Sequence, residues 1–277
     1  MVVLPSTSLV DDDAVIDLRD RVADLREQVP GRATVSVVVP TLNEVDNVVL
    51  VLPRIPWWVD EVVLVDGGST DGTVDAALAV RPDLHVVIDE TPGKGAALRA
   101  GWHAARGDIV VTIDADGSTD PAEIPAFIGP LLAGADMVKG SRFVHGAGSA
   151  DIDLLRRLGN RGLTRLVRVL YGGRFTDLCY GYNAFWRRVV PVFDAVGDGF
   201  EIETLMNVRA LRHDLNVVEV ASFESERIHG QSNLRTFADG WRVLRTILRE
   251  RFRTPPDVVL TPALVRLPTA STESWWS

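Results

Sequence analysis

One cysteine, Cys179, stands in the whole chain, which rules out an internal disulfide and a cysteine-built zinc centre. No apolar run reaches the roughly 20 residues that a membrane-crossing helix needs. Positive charge is in deficit: 29 Lys and Arg against 38 Asp and Glu leave a net charge of −9. That balance excludes a general nucleic-acid binder, which needs a basic face, but not one small basic pocket for a phosphate. The opening MVVLPSTSLVDDD lacks the basic start and apolar core of a secretory leader. Together these absences point to a cytoplasmic protein without a membrane span. The familiar nucleotide loops are missing as well. In PGKGAALRAG (92–101) a P-loop would need Gly at position 88 and Ser or Thr at 95, where Ile88 and Gly95 stand. The dinucleotide pattern fails at Leu98. The GKG segment can still open a helix whose amides and Lys94 face an anion, or be a plain turn with a solvated lysine.

What is present is an apolar content of 46%, enough for a full core. Residues 1–33 read as an extension in which Val15, Leu18, Val22, Leu25 and Val29 mark one face of a helix. That helix packs on the outside of the domain or mediates a contact such as homodimerisation; both readings stay open. From residue 34 to 252 strands and helices alternate. Strands are expected at 34–40, 60–66, 84–89, 108–114 and 135–141, with a short one entering 177–190 and another at 215–224. Helices are expected after each of the first four strands and at 151–172, 199–214 and 237–252. Unbroken apolar strands between helices predict an α/β fold with a mainly parallel central sheet and helices on both faces. Residues 253–277 read as an irregular tail.

Sheets of that kind bind ligands at the carboxyl ends of their strands. Glu44, Asp66, Asp114 and Asp116 all fall at such ends. The pair in DIVVTIDADGSTDP is the sharpest signal, because two carboxylates this close repel unless a cation or water lies between them.

The segments VVVPTLNEVDN, VLVDGGSTDGT, GKGAALRAG, IDADGSTDP, VKGSRF, DLCYGYNAF, GFEIETL and RIHGQSNL occur in an order that resembles glycosyltransferase family 2, in its dolichol- or polyprenyl-phosphate mannose synthase branch. The resemblance covers about residues 34–252. It implies a GT-A fold, a nucleotide-sugar donor of the GDP-mannose or UDP/GDP-glucose type, a divalent metal (Mg²⁺ or Mn²⁺) and inversion at the anomeric carbon. It also implies residue roles. Asp116 ligates the metal, and Asp114 meets the ribose or a metal-bound water beside Ala115. Ser118 stands where the branch often has Gln, a shorter oxygen ligand. Asp66 serves the base and ribose, although the second acid usual in its motif is Gly67 here. Pro40, Leu42 and Glu44 line the base pocket. Lys94 and Arg142 are candidates for phosphate or sugar contacts; a surface salt bridge is the other reading of Arg142. Arg227 and Ser232 match a loop that closes on the donor, with Asn233 in place of a frequent Lys. His229 reaches the metal or makes an ordinary loop hydrogen bond.

Two acceptors compete. A polyprenyl phosphate carries its own ionised oxygen and needs only positive groups to place it. Arg156, Arg157, Arg161, Arg165 and Arg168 on the 151–172 helix could supply them, or could be a solvated face. Such an acceptor would bring the protein to the inner surface of the membrane. A soluble hydroxyl acceptor needs a carboxylate base, for which Asp177, Glu201 and Glu203 are candidates. Glu201 and Glu203 diverge by about 200° on their helix, so they cannot both face one site; Glu203 is the one that matches the family. The motifs favour the lipid phosphate. A non-catalytic nucleotide-sugar-binding subunit is the third reading, and the intact acid pair weighs against it.

Overall fold

The computed structural model describes residues 32–193, 199–230, 236–254, 258 and 260. The expected helix at 11–30, Ser232 and most of the tail lie outside the described residues. Of the tail, Val258 and Leu260 pack against the core.

Seven strands form the central sheet: β1 (Val35–Thr41), β2 (Glu61–Asp66), β3 (His85–Ile88), β4 (Ile109–Thr112), β5 (Met137–Ser141), β7 (Asn183–Trp186) and β8 (Val217–Ala221), in the order β3-β2-β1-β4-β7-β5-β8. A two-stranded ribbon of β6 (Gly148–Ser149) and β9 (Phe223–Glu224) lies apart from it. All pairs in the large sheet are parallel except those of β7, which runs antiparallel to both β4 and β5. The direction of β7 is what the strand pattern did not carry. Its four residues are all buried, and a fully buried strand reads alike in either direction.

Helices α1 (Val45–Val51), α2 (Thr73–Val80), α3 (Lys94–Ala104) and α4 (Ile124–Leu132) follow the first four strands. The second half adds α5 (Leu154–Tyr171), α6 (Val190–Phe193), α7 (Ile202–Arg212) and α8 (Thr236–Phe252). The apolar runs of the strands are buried on both faces, with Val37, Val38, Val39, Val63, Leu64 and Val65 all at zero exposure. Val38, Val63, Val65 and Val110 alternate onto the face covered by Trp102 of α3, Phe193 of α6 and Ile202, Leu205 and Met206 of α7. Trp102 meets Phe185 edge to face at 5.6 Å and Phe193 at 6.2 Å. This core fixes α3 and α7 relative to β4, and so fixes the side chains at their ends. Asp153 caps α5, its carboxylate accepting from the Arg156 amide at 2.7 Å, and Gly172 ends it in the left-handed region at φ 88°.

Candidate active site

The carboxyl ends of β1, β2, β4 and β5 open on one side of the sheet, where the expected acids gather. β4 runs out into Asp114, Ala115 and Asp116, of which Ala115 and Asp116 are buried. Lys94, at the first turn of α3, sets its ammonium 2.7 Å from Asp114 Oδ1 and 3.1 Å from Glu203 Oε1 near the start of α7. Burial pulls the lysine toward neutrality, but the two carboxylates outweigh it and hold the ammonium charged. Gly181 passes beside this triad. A Cβ there would lie 2.9 Å from Lys94 Nζ and 3.1 Å from Asp114 Oδ2, so any larger residue would push the tips of these side chains aside. As the helical spacing required, only Glu203 of its pair turns into the site; Glu201 lies outside the cavity lining, with one buried carboxylate oxygen lacking a described partner.

Asp116 has two different partners. Its Oδ1 accepts from the Ser118 amide at 2.9 Å, and its Oδ2 lies 2.7 Å from the Arg227 guanidinium. Arg227 also reaches Glu44 Oε1 at 3.4 Å. Burial pushes the Glu44 carboxyl up, more than Asn47 and Arg227 pull it down. The Arg227 loop is pinned by its backbone: Ile228 N donates to Asp116 O at 3.0 Å, and Ser225 N to Ser118 O at 2.9 Å. Asn47 clamps His229 on both sides, accepting from its amide at 3.0 Å and donating to its carbonyl at 3.2 Å. These bonds hold the His229 backbone, while the residue itself is exposed. Gly117 turns at φ 78°, and a Cβ on it would lie 2.4 Å from Ile228 Cδ1, so this residue admits both the turn and the loop.

Among the described residues no group of three or more His, Cys, Asp and Glu is arranged to hold a metal. Asp114, Asp116, Ser118 and His229 therefore do not form a ready-made coordination shell. What they offer is two hard carboxylates and a hydroxyl, a donor set that suits Mg²⁺ or Mn²⁺ only when a substrate supplies further oxygens.

Two expectations need correction. Arg142 follows β5 as expected, but its fork is engaged by protein acids rather than free for phosphate. Nε and Nη2 donate to Asp177 at 2.7 and 3.0 Å, and Nη1 donates to both Glu224 oxygens at 3.1 Å. The guanidinium also lies over the Tyr180 ring at 4.9 Å from its centre. Asp177, expected as a candidate base, is fully buried against this arginine. Burial alone would raise its carboxyl, but the Arg142 bonds prevail and hold it below the usual carboxylate range. A carboxylate so held is a structural partner and a poor proton acceptor.

Asp66 is likewise engaged locally. Its oxygens accept from Gly68 N at 3.1 Å, Ser69 N at 2.8 Å, Ser69 Oγ at 2.6 Å and Thr41 Oγ1 at 3.2 Å. It shapes the turn after β2 and ties it to β1. Beside that turn Leu42 is exposed, and Pro40 and Glu44 are half-buried.

The site opens into a cavity of about 320 Å³. Lys94, Asp114, Asp116 and Glu203 form its inner wall. Leu155, Leu163, Phe237 and Val243 of α5 and α8 form an apolar side that the sequence reading missed. Asn160 of α5 was missed as well. Its Oδ1 accepts from Leu178 N at 3.1 Å, while its buried Nδ2 has no described partner and the residue lines the cavity. Its signal was a polar residue in phase with the buried Thr164 and Val167 of an amphipathic helix.

The family model described as glycosyl transferase family 2 matches residues 36–192. A polyprenol monophosphomannose synthase of Mycolicibacterium smegmatis is 33% identical over 72% of this chain and 80% of its own length. An undecaprenyl-phosphate mannosyltransferase of Micrococcus luteus is 33% identical over 72% of this chain and 87% of its own. The solved glucosyl-3-phosphoglycerate synthase of Mycobacterium tuberculosis, in complex with Mn²⁺, UDP-glucose and phosphoglyceric acid, superposes with a TM-score of 0.64 at 28% identity, covering 84% of this chain and 85% of that one. The sheet described above is thus the GT-A sheet, and the chain belongs to glycosyl transferase family 2 as a glycosyltransferase.

Proposed function

We propose that the protein moves a hexose from a nucleoside-diphosphate sugar to a polyprenyl phosphate, with inversion at the anomeric carbon. One observation carries the choice of acceptor. Six carboxylates line the cavity, and each is ion-paired: Asp114 and Glu203 with Lys94, Asp116 with Arg227, Asp151 with Arg156, Glu224 with Arg142 and Asp239 with Arg242. An acceptor with an oxygen already ionised fits such a site, and a phosphate monoester is mostly dianionic near neutral pH. The apolar side of the cavity suits the isoprenoid chain attached to that phosphate, and the two mannosyltransferase relatives support the same reading.

In this reaction a phosphate oxygen attacks the anomeric carbon, the bond from that carbon to the donor diphosphate breaks, and the nucleoside diphosphate leaves with the electron pair. No proton has to move. Asp116 and Asp114 are the residues that would hold a divalent cation together with the diphosphate, and the cation supplies Lewis-acid neutralisation of the leaving group. Arg227 and Lys94 add positive charge at the same end of the site. Leu42, Pro40 and the turn built on Asp66 border the base, and Asn160 offers its free amide to the acceptor.

The second reading, a hydroxyl acceptor, draws support from the solved relative that holds phosphoglyceric acid. It requires Glu203 to release Lys94 and act as base. Following nucleoside diphosphate release with GDP-mannose, GDP-glucose or UDP-glucose separates the two. Polyprenyl phosphate is expected to stimulate release in Mg²⁺ or Mn²⁺. Stimulation by phosphoglycerate alone, abolished in Glu203→Gln, replaces the first reading with the second.

A further inference from the structure

Lys139, in the middle of β5, is fully buried, and the reaction proposed above gives it no task. β5 lies between β7 and β8, and Lys139 stands in register with Asn183 on one and Glu219 on the other. Its amine donates to the Tyr180 carbonyl at 3.3 Å, and Asn183 Nδ2 donates to the same oxygen at 3.3 Å. Burial draws the ammonium toward neutrality more than Asp177 and Glu219 hold it charged. Either form keeps an N–H for that carbonyl.

The lysine holds one end of a peptide whose other end belongs to the cavity. The bond between Tyr180 and Gly181 is trans, so the Tyr180 C=O and the Gly181 N–H point in opposite directions. The carbonyl is directed at two buried side chains, Lys139 and Asn183. The Gly181 N–H is therefore directed away from them, and Gly181 lines the cavity. The next carbonyl is anchored as well, since Gly181 O accepts from Thr112 Oγ1 of β4 at 3.0 Å. Among the described residues the Gly181 N–H has no hydrogen-bond partner, whereas backbone N–H groups away from bulk water are paired as a rule. Its surroundings suit a hydroxyl. A Cβ on Gly181 would meet Lys94 Nζ, Asp114 Oδ2 and Glu203 Oε1 within 3.4 Å. One cation against two carboxylates favours a neutral group over a further anion. A sugar hydroxyl accepts from the N–H and donates its own proton to a carboxylate.

We infer that Lys139 is a positioning residue that aims the Gly181 amide at a hydroxyl of the transferred hexose, making that N–H a sugar-selecting contact. The inference rests on the proposed transfer of a hexose from a nucleotide sugar, but not on the nature of the acceptor.

Labelling the full chain with carbonyl-¹³C tyrosine and amide-¹⁵N glycine tests it by NMR. The sequence holds two Tyr-Gly pairs, 171–172 and 180–181, so the Gly172 and Gly181 amides alone give coupled signals, and Tyr171→Phe identifies the first. The Gly181 proton is expected to move downfield with whichever of GDP-mannose, GDP-glucose and UDP-glucose binds, and not with the matching nucleoside diphosphate. This signal decides whether or not Lys139→Met folds. In calorimetry Lys139→Met is expected to weaken the nucleotide sugar about fivefold, the worth of one hydrogen bond, and to leave nucleoside diphosphate affinity unchanged. That penalty vanishes for the one deoxy-sugar donor that lacks the contacted hydroxyl. Equal losses for both ligands, or a loss common to every deoxy donor, overturn the positioning role. A Gly181 amide unmoved by a bound nucleotide sugar overturns the inference and leaves the proposed reaction standing. An amide that moves only with polyprenyl phosphate overturns the hexose assignment in favour of the acceptor. A moved amide without turnover of polyprenyl phosphate upholds the inference and removes the acceptor reading instead.

Discussion

The Arg227 guanidinium lies 2.7 Å from the Asp116 carboxylate and bridges it to Glu44. A loop from the far end of the domain thus places a fixed positive charge on the acid proposed to serve the leaving diphosphate. Asp116→Asn is expected to lower transfer at least 10²-fold, the scale of losing electrostatic stabilisation of developing charge. Nucleoside diphosphate affinity in that variant no longer responds to Mg²⁺ or Mn²⁺ by titration calorimetry. Full activity of the unmodified protein in excess chelator refutes the metal role. Arg227→Gln keeps the fold and weakens donor binding about tenfold, the worth of a charged hydrogen bond.

Lys94 holds Asp114 and Glu203 together. Lys94→Met leaves two carboxylates facing one another in a confined site. Breaking such a pair costs about 3 kcal/mol, read as a lower urea midpoint. Adding Glu203→Gln to Lys94→Met removes one of the two charges and is expected to recover much of the stability but not the activity. A stable Lys94→Met protein shows that water screens the acids.

Arg142 and Asp177 predict a pH dependence of stability. The folded Asp177 carboxyl titrates below its unfolded counterpart. Its stabilisation is therefore complete above about pH 4 and is lost as the pH falls through the lower, folded-state value. Asp177→Asn is expected to cost about 3–5 kcal/mol at neutral pH and to flatten the acid limb of the stability curve. Parallel curves for the two proteins on acidification rule this out.

Asn160→Asp tests the missed residue. The replacement retains an oxygen for Leu178 N and turns the free donor into an anionic acceptor. A phosphate acceptor should then show a KM raised about tenfold or more, with donor affinity unchanged. Unaltered acceptor KM places Asn160 outside the acceptor path.

The acids of the site were legible because parallel strands declare themselves as β-branched runs, and Asp66, Asp114 and Asp116 sit at or just past their ends. Lys94 was legible as a helix start, and Arg227 as part of an ordered motif. The partnership of Arg142 was not, because Asp177 and Glu224 come from distant segments and only folding brings them to it. The same holds for Leu155, Phe237 and Asn160. Each reads as part of an amphipathic helix, and only the packing of α5 on α8 makes a cavity wall of them.

The antiparallel strand β7 carries a consequence for synthesis on the ribosome. It sits between β4 and β5, although it is made after both. Strands β1 to β4 pair through near neighbours and can zip together while the chain is still emerging. β5 has its sheet partners only in β7 and β8, so it waits at an open edge until residues 183–221 arrive. During that interval a short buried strand is exposed to other nascent chains, the circumstance in which unpaired edges aggregate. The sheet continues from β4 to β5 only through the four residues of β7, and the α7 face and the Arg227 loop can pack back onto the acid-bearing strands only once residues 202–228 have followed.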